Sequence, residues 1–167
     1  PVIVGTGDST AEAISVGLVE SGTVFFQYGS SMFYYYCVDR YVDDYVSANG
    51  NGSLKGGKEF TIPGTFCIGD GTNAAGTLTR WVRDTFYEEE LKKERAGGEN
   101  AYAVMAREAA EVEAGSEGLI ILPYIYGERS PIQDAKASGM LFGLKGTHTR
   151  KQINRAALEA VGYSTLQ

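Results

Sequence analysis

Segments that read as strands alternate with segments that read as helices along most of the chain, and this alternation limits the fold more than any single motif does. Val2-Ile3-Val4 reads as part of a buried strand over residues 1–5, and Ser9-Thr10-Ala11-Glu12 fits the S-x-x-E capping box that opens a helix. Ala11, Ile14 and Leu18 share one face of that helix, and Gly22 is expected to stop it. Residues 23–28 and 32–38 are rich in β-branched and aromatic side chains, which predicts a hairpin turning at Gly29-Ser30-Ser31. A further strand region is expected over 60–62 and 65–68. A helix follows over 72–86, where Ala75, Leu78, Val82 and Phe86 form an apolar stripe widened by Trp81. The charge run 88–95 reads as the solvated end of that helix and the turn after it. Tyr102, Met105, Ala109 and Val112 predict a third helix, and Leu119-Ile120-Ile121-Leu122 a buried strand closed by Pro123. The last helix starts near Thr147 or Thr149, with Thr149 and Gln152 as a second capping box, and buries Ile153, Ala156, Ala157 and Ala160. The expected class is therefore α/β or a mixed layered fold.

Composition removes several functions. At 167 residues the chain is about one domain long, and 43% hydrophobic with 22% charged residues is the balance of a packed globular protein. A net charge of -6 argues against nucleic acid as the main partner, because counterion release needs clustered Lys and Arg. Cys37 and Cys67 lack CxxC spacing, and one histidine cannot complete a zinc set, so no metal site is expected. Both thiols are expected to be reduced core residues, with a cytoplasmic setting as the default. No apolar run reaches bilayer length, so no membrane partner is expected. The chain opens on Pro1 directly before an apolar strand, which suggests a cut from a longer polypeptide. The polar, glycine-dense stretch 47–58 reads as a flexible loop.

Four places can carry chemistry. Gly5-Thr6-Gly7-Asp8-Ser9-Thr10 joins a strand to a helix, where backbone N–H groups and the helix dipole attract phosphate. The dinucleotide fingerprint GxGxxG fits only its first half, since position 10 is threonine. Asp8 either caps the helix or, with Ser9 and Glu12 supplying the cap, keeps a carboxylate free to accept a proton from a substrate hydroxyl. Gly29-Ser30-Ser31 is either an ordinary hairpin turn or a close approach to phosphate oxygens. Gly71-Thr72-Asn73 and Gly76 are either a further approach to phosphate or simply a helix start and a close-packing glycine. Arg129 can bind an anion, although neutralisation by Glu128 or Asp134 is the favoured expectation. The aromatic run Phe33-Tyr34-Tyr35-Tyr36 alternates as core and surface on a strand, and His148 is expected to be exposed in the first turn of the last helix.

Gly139-Met140-Leu141-Phe142-Gly143-Leu144, then Gln152-Ile153 and Ala156-Ala157-Leu158-Glu159, resembles the second signature of the FGGY carbohydrate kinases. Leu122-Pro123-Tyr124 with Gly127-Glu128-Arg129-Ser130-Pro131 is similar to the family's LPY...GER-P segment. Gly5-Thr6-Gly7-Asp8 resembles its G-x-GD segment, Tyr28-Gly29-Ser30-Ser31 its phosphate turn, and residues 76–84 its G-x-x-x-x-W-L-R-D helix. Ser30 replaces the more usual threonine, and Ser138 stands where many members have arginine.

The resemblance implies a ribonuclease-H-like (actin-like ATPase) fold, incomplete in this fragment. Residues 1–22 would end the N-terminal kinase domain and 23–167 would begin the C-terminal one. It implies that Asp8 is the general base on a sugar hydroxyl, that Ser9 lies near the sugar, and that Gly29, Ser30, Ser31 and Gly76 contact the nucleotide. The reaction so implied is phosphorylation of a small sugar, a pentulose such as xylulose, by ATP with Mg2+. The fragment alone would be nearly inactive, because the family's D-x-G-T-x-S segment and adenosine motif have no counterpart here. A homodimer of the parent stays open, as does a non-catalytic actin-like module that binds nucleotide or a partner protein. The kinase expectation requires the Asp8 carboxylate to be open and to face the Gly29 turn and the Gly76 helix.

Overall fold

The structure, a computed structural model, describes residues 5–42, 45–46, 53–54, 57–130 and 132–166. The strand expected over 1–5 falls almost wholly outside the described residues, and so does most of the loop expected over 47–58. In chain order the elements are α1 (Asp8–Ser15), β1 (Val24–Tyr28), β2 (Met32–Val38), β3 (Tyr45–Val46), β4 (Ser53–Leu54), β5 (Lys58–Glu59) and β6 (Phe66–Thr72). There follow α2 (Gly76–Phe86), α3 (Glu88–Arg95), α4 (Ala101–Ala110), a 3-10 turn (Ser116–Gly118), β7 (Ile120–Leu122), β8 (Met140–Phe142) and α5 (Arg150–Tyr163). No helix among the described residues is long and apolar enough to cross a membrane.

The main sheet has the order β1-β2-β6-β5 and is antiparallel at every pairing, whereas a dinucleotide-binding doubly wound sheet needs parallel strands. The β1–β2 hairpin turns at Gly29-Ser30-Ser31 as expected, with Tyr28 opposite Met32. Cys37 and Cys67, distant in sequence, are register partners across β2 and β6, and both are buried. Ala13, Leu18, Cys37, Phe60 and Cys67 form a core under one face of this sheet, joined by Ile14, Phe25, Tyr35 and Ile62. Thus α1 lies on the end of the sheet where β6 begins.

Two expectations about α1 are corrected. The Ser9–Glu12 capping box does not form: the helix begins at Asp8, its N-cap Gly7 offers no side-chain cap, and Asp8 Oδ1 accepts the Ser9 N–H at 2.8 Å. The helix also ends well before Gly22. Gly17 adopts φ +93°, and its N–H donates to the Ile14 carbonyl at 2.9 Å while the Leu18 N–H donates to the Ala13 carbonyl at 3.0 Å. That paired closure tucks Leu18 under the sheet beside Ala13.

A second core joins α2, α4, α5 and β7. Leu78 and Val82 of α2 are fully buried against Tyr87, Met105, Leu119, Ile121, Ala156, Ala157 and Ala160. Truncating a side chain such as Leu78 to alanine costs about 3 kcal/mol in sites of this kind. The Thr149 cap is present: Thr149 Oγ1 accepts the Lys151 N–H at 3.3 Å, and Gln152 Oε1 accepts the Thr149 N–H at 2.9 Å. Asn154, 1% exposed, donates to the Met105 carbonyl at 2.7 Å and so fixes α5 on α4.

Other boundaries differ from expectation. Helix α2 begins at Gly76 rather than Thr72, because Thr72 is the last residue of β6. Residues 88–95 are solvated as expected but form a separate helix rather than the end of α2 and a turn. On α4 the buried stripe is Ala101, Met105 and Ala109, and Tyr102 is 38% exposed. His148 lies in the turn before α5, half-buried, with Nδ1 accepting the Lys145 N–H at 3.2 Å.

Arg150 ties three helices together. Its guanidinium donates to both oxygens of Glu90 on α3 at 3.0 and 3.1 Å and to both oxygens of Glu108 on α4 at 3.0 and 2.6 Å. It also stacks 4.2 Å from the Tyr87 ring centre, and the Tyr87 hydroxyl donates to Glu108 at 2.8 Å. Arg150 holds the Glu90 carboxyl below the usual carboxylate range. Burial pushes Glu108 up, but the hydrogen bonds from Arg150 and Tyr87 outweigh it and the net shift is downward.

Since both carboxyls titrate lower in the folded chain, their stabilisation is complete above the ordinary carboxylate range and is lost as pH falls through the lowered folded values. Arg150→Ala is expected to cost about 2 kcal/mol at neutral pH, the full cost of breaking a buried pair being discounted for the partial exposure of the guanidinium. Urea unfolding at pH 7 and at about pH 3.5 checks this, and the wild type should lose more stability between the two than the variant.

Candidate functional site

The site grows from the contact between the β1–β2 turn and the start of α2. The Ser30 carbonyl accepts the Ala75 N–H at 3.3 Å, the Thr77 N–H at 3.0 Å and the Thr77 hydroxyl at 3.0 Å. The Gly29 carbonyl accepts the Gly76 N–H at 2.9 Å. The first donors of α2 are thereby satisfied by the turn, where a side-chain cap would otherwise be needed. A Cβ at Gly76 would stand 2.6 Å from the Gly29 carbonyl oxygen, so the close seating requires glycine there.

This arrangement defines what each group can do. The N–H groups of Gly76 and Thr77 are committed to the turn and are not open to an anion. Ser30 is exposed at the tip, with Gly29 and Ser31 half-buried on either side. A small, rigidly seated turn of this type can come close to phosphate oxygens through its exposed rim.

Behind the turn lies a group that sequence analysis treated only as a partner for Arg129. Glu128 is 2% exposed, and its carboxylate accepts the Thr72 hydroxyl at 2.6 Å, the Asn73 N–H at 2.8 Å and the Arg129 N–H at 2.7 Å. The expected neutralisation of Arg129 by Glu128 or Asp134 is corrected: the Arg129 guanidinium instead donates to the Thr72 carbonyl at 3.3 Å. The Ser130 hydroxyl donates to Asp70, which also accepts the Gly71 N–H at 2.7 Å. Burial, and then the Glu128 charge, push the Tyr124 phenol up. The Gly127–Ser130 segment is thus stitched along the end of β6 that leads into α2. Position 72 carried the signal, since a threonine between two glycines and an asparagine can serve the backbone rather than a core.

Gly29, Ser30, Ser31 and Gly76 are brought together. Asp8 and Ser9 are adjacent to each other but not to them. Asp8 is exposed, and the Thr6 hydroxyl pairs with the Thr61 hydroxyl at 3.1 Å, beside the connection from β5 to β6. That connection is at the opposite end of the sheet from the Gly29 turn. From Met32 to Cys37 along β2 alone is about 17 Å at ~3.4 Å per residue. In this arrangement Asp8 is exposed at the start of an α1 that lies at the end of the sheet away from the turn.

Residues 28–167 match the C-terminal domain of the FGGY family of carbohydrate kinases. The chain belongs to that family. FGGY relatives include a gluconokinase of Bacillus subtilis, 29% identical over 98% of this chain and 31% of its own length. A xylulose kinase of Lactococcus lactis is 32% identical over 98% of this chain and 29% of its own length. Among solved structures, the xylulose kinase from Rhodospirillum rubrum superimposes with a TM-score of 0.76 at 28% identity, covering 96% of this chain and 29% of that one. The fold is therefore that of the FGGY kinases, an actin-like ATPase fold of ribonuclease-H type, and the chain spans less than a third of the length of these relatives. The residues that resemble the second FGGY signature fall mainly on β8, which pairs with β7, and on α5, which packs against β7.

Gly76→Ala is expected to destabilise the FGGY chain by about 1–3 kcal/mol, because the new methyl group must push the turn away from α2. Thermal unfolding reads the loss. Amide exchange at positions 29–31 and 75–77 should rise in the same variant before global unfolding.

Proposed function

We propose that the intact protein carrying this chain transfers the γ-phosphoryl group of ATP to a hydroxyl of a small sugar. Family membership over residues 28–167 is the observation that carries this. The seated turn supports it further, because Gly29, Ser30 and Ser31 form a compact rim beside Gly76 that suits the phosphates of the nucleotide. In this proposal residues 1–22 close the N-terminal kinase domain and residues 23–167 open the C-terminal one.

Asp8 is the proposed general base. Its carboxylate takes the proton of the sugar hydroxyl as that oxygen bonds to the γ-phosphorus, and the bond from phosphorus to the bridging oxygen of ADP breaks. Ser9 is proposed to border the sugar. Mg2+ enters on the nucleotide as MgATP and offsets charge on the phosphates. Relatives are named both for xylulose and for gluconate, and we propose a pentulose such as xylulose as the acceptor. The proposed setting is the cytoplasm.

One observation favours a second assignment, a non-catalytic actin-like module that binds nucleotide without turnover. The Thr6–Thr61 contact and the burial of Ala13 seat α1 at the end of the sheet away from the turn. A kinase must bring Asp8 to the turn when the rest of the protein is in place, and a binding module has no such need.

Asp8→Asn in the intact protein separates the two. For the kinase, turnover of ATP with xylulose or gluconate is expected to fall by about three orders of magnitude or more while nucleotide affinity stays close to wild type. Coupled ADP-release assays and isothermal titration check both halves. Unchanged turnover removes Asp8 from the chemistry, and a wild type that binds ATP but phosphorylates neither acid nor pentulose leaves the binding module.

A further inference from the structure

The GER segment has no part in the chemistry proposed above, yet it holds the most completely engaged buried carboxylate next to the turn. Glu128 is an acceptor-only group with three donors on it, from Thr72, Asn73 and Arg129. A buried carboxylate keeps its place only when such bonds replace the water it has lost, and bonds to a charged acceptor are stronger than neutral ones.

The chain of contacts leads from Glu128 to the turn. The Thr72 hydroxyl donates to Glu128 and also accepts the Ala74 N–H at 3.2 Å. The next residue, Ala75, donates to Ser30, and Thr77 donates to Ser30 twice. The single proton of the Thr77 hydroxyl is shared between the Ser30 carbonyl and the Asn73 carbonyl, 3.1 Å away, which draws the two ends of the corner together. The β6-to-α2 corner is therefore fixed at one side by Glu128 and at the other by the turn.

We propose that Glu128 is a positioning residue for the nucleotide phosphates: by holding the corner from Thr72 to Thr77 it sets the angle at which Ser30 and Ser31 meet the phosphate chain. This rests on the proposed kinase function, which gives the turn its ligand. Glu128 touches neither substrate and acts through Thr72 and Asn73. Glutamine can keep its oxygen on the Asn73 and Arg129 N–H groups, but its amide then faces Thr72, whose hydroxyl must turn to accept and loses its charge-assisted bond to a carboxylate.

Glu159 supplies a matched control. It is also a well-engaged carboxylate, accepting the Gly115 N–H at 2.9 Å, the Ser116 hydroxyl at 2.8 Å and Arg155 at 2.8 Å, but it serves the loop between α4 and β7.

The test compares Glu128→Gln, Thr72→Val and Glu159→Gln in the intact protein, with melting temperature and steady-state kinetics measured for each. The first two are expected to raise the KM for ATP about tenfold while the KM for the sugar stays within about twofold. Glu159→Gln should lower the melting temperature and leave the KM for ATP unchanged. If Glu128→Gln does not fold, Thr72→Val carries the measurement, since at nearly constant volume it removes only the hydroxyl, with its bond to Glu128 and its bond from the Ala74 N–H. Loss of melting temperature in both variants with no change in the KM for ATP overturns the proposal.

Should the wild type phosphorylate no sugar, the kinase function fails by itself. Glu128 is then judged by amide exchange in the same protein. Faster exchange at 29–31 and 75–77 in Thr72→Val supports the corner it holds, and unchanged exchange there overturns it.

Discussion

A single backbone oxygen, the carbonyl of Ser30, organises this junction, because three donors from Ala75, which caps α2, and Thr77, in its first turn, converge on it. Without it the start of α2 would expose donors that no side chain caps. The turn would then keep a single backbone bond to the helix, from the Gly76 N–H to the Gly29 carbonyl. With it, the tip of the β1–β2 hairpin is as rigid as the helix it is attached to. That rigidity suits a surface that must meet phosphate oxygens, where small errors of position are costly.

The same junction explains why Glu128 of the GER segment is buried in a place that could have been apolar. Glu128 takes donors from Thr72 and Asn73 at the end of β6, and Asp70 within β6 takes one in return from Ser130. Hydrophobic contacts fix separation but not orientation, whereas hydrogen bonds to a carboxylate fix both. The two cores can therefore stay conventional, with alanines at 156, 157 and 160 letting α5 lie close to its neighbours, while direction is set at the corner.

The hairpin, α2, α4, β7 and the Thr149 cap were legible in the sequence because each depends on local periodicity or capping chemistry. The extent of β6 was not. Gly69, Asp70 and Gly71 have low strand propensity, and only their pairing with Tyr35, Tyr34 and Phe33 makes them a strand. Its extension to Thr72 in turn moved the start of α2 to Gly76. The turn residues of the site were readable as a small-residue cluster, but the role of Glu128 depends on contacts to residues more than fifty positions away. Asp8 shows the same limit from the other side. Its exposure followed from its neighbours, whereas its distance from Gly29 follows from how α1 packs under the sheet.

Helix α3 buries no residue at all, so its attachment owes little to the hydrophobic effect. Its polar tethers are Glu90 on Arg150 and Glu94, which accepts from Asn100 and from the Ala101 N–H at the start of α4. Ion pairs that retain access to water weaken as salt shortens the screening length. Raising ionic strength should therefore loosen α3 as a local opening while the layers beneath it stay closed, so that this part of the surface responds to electrolyte before any other helix does.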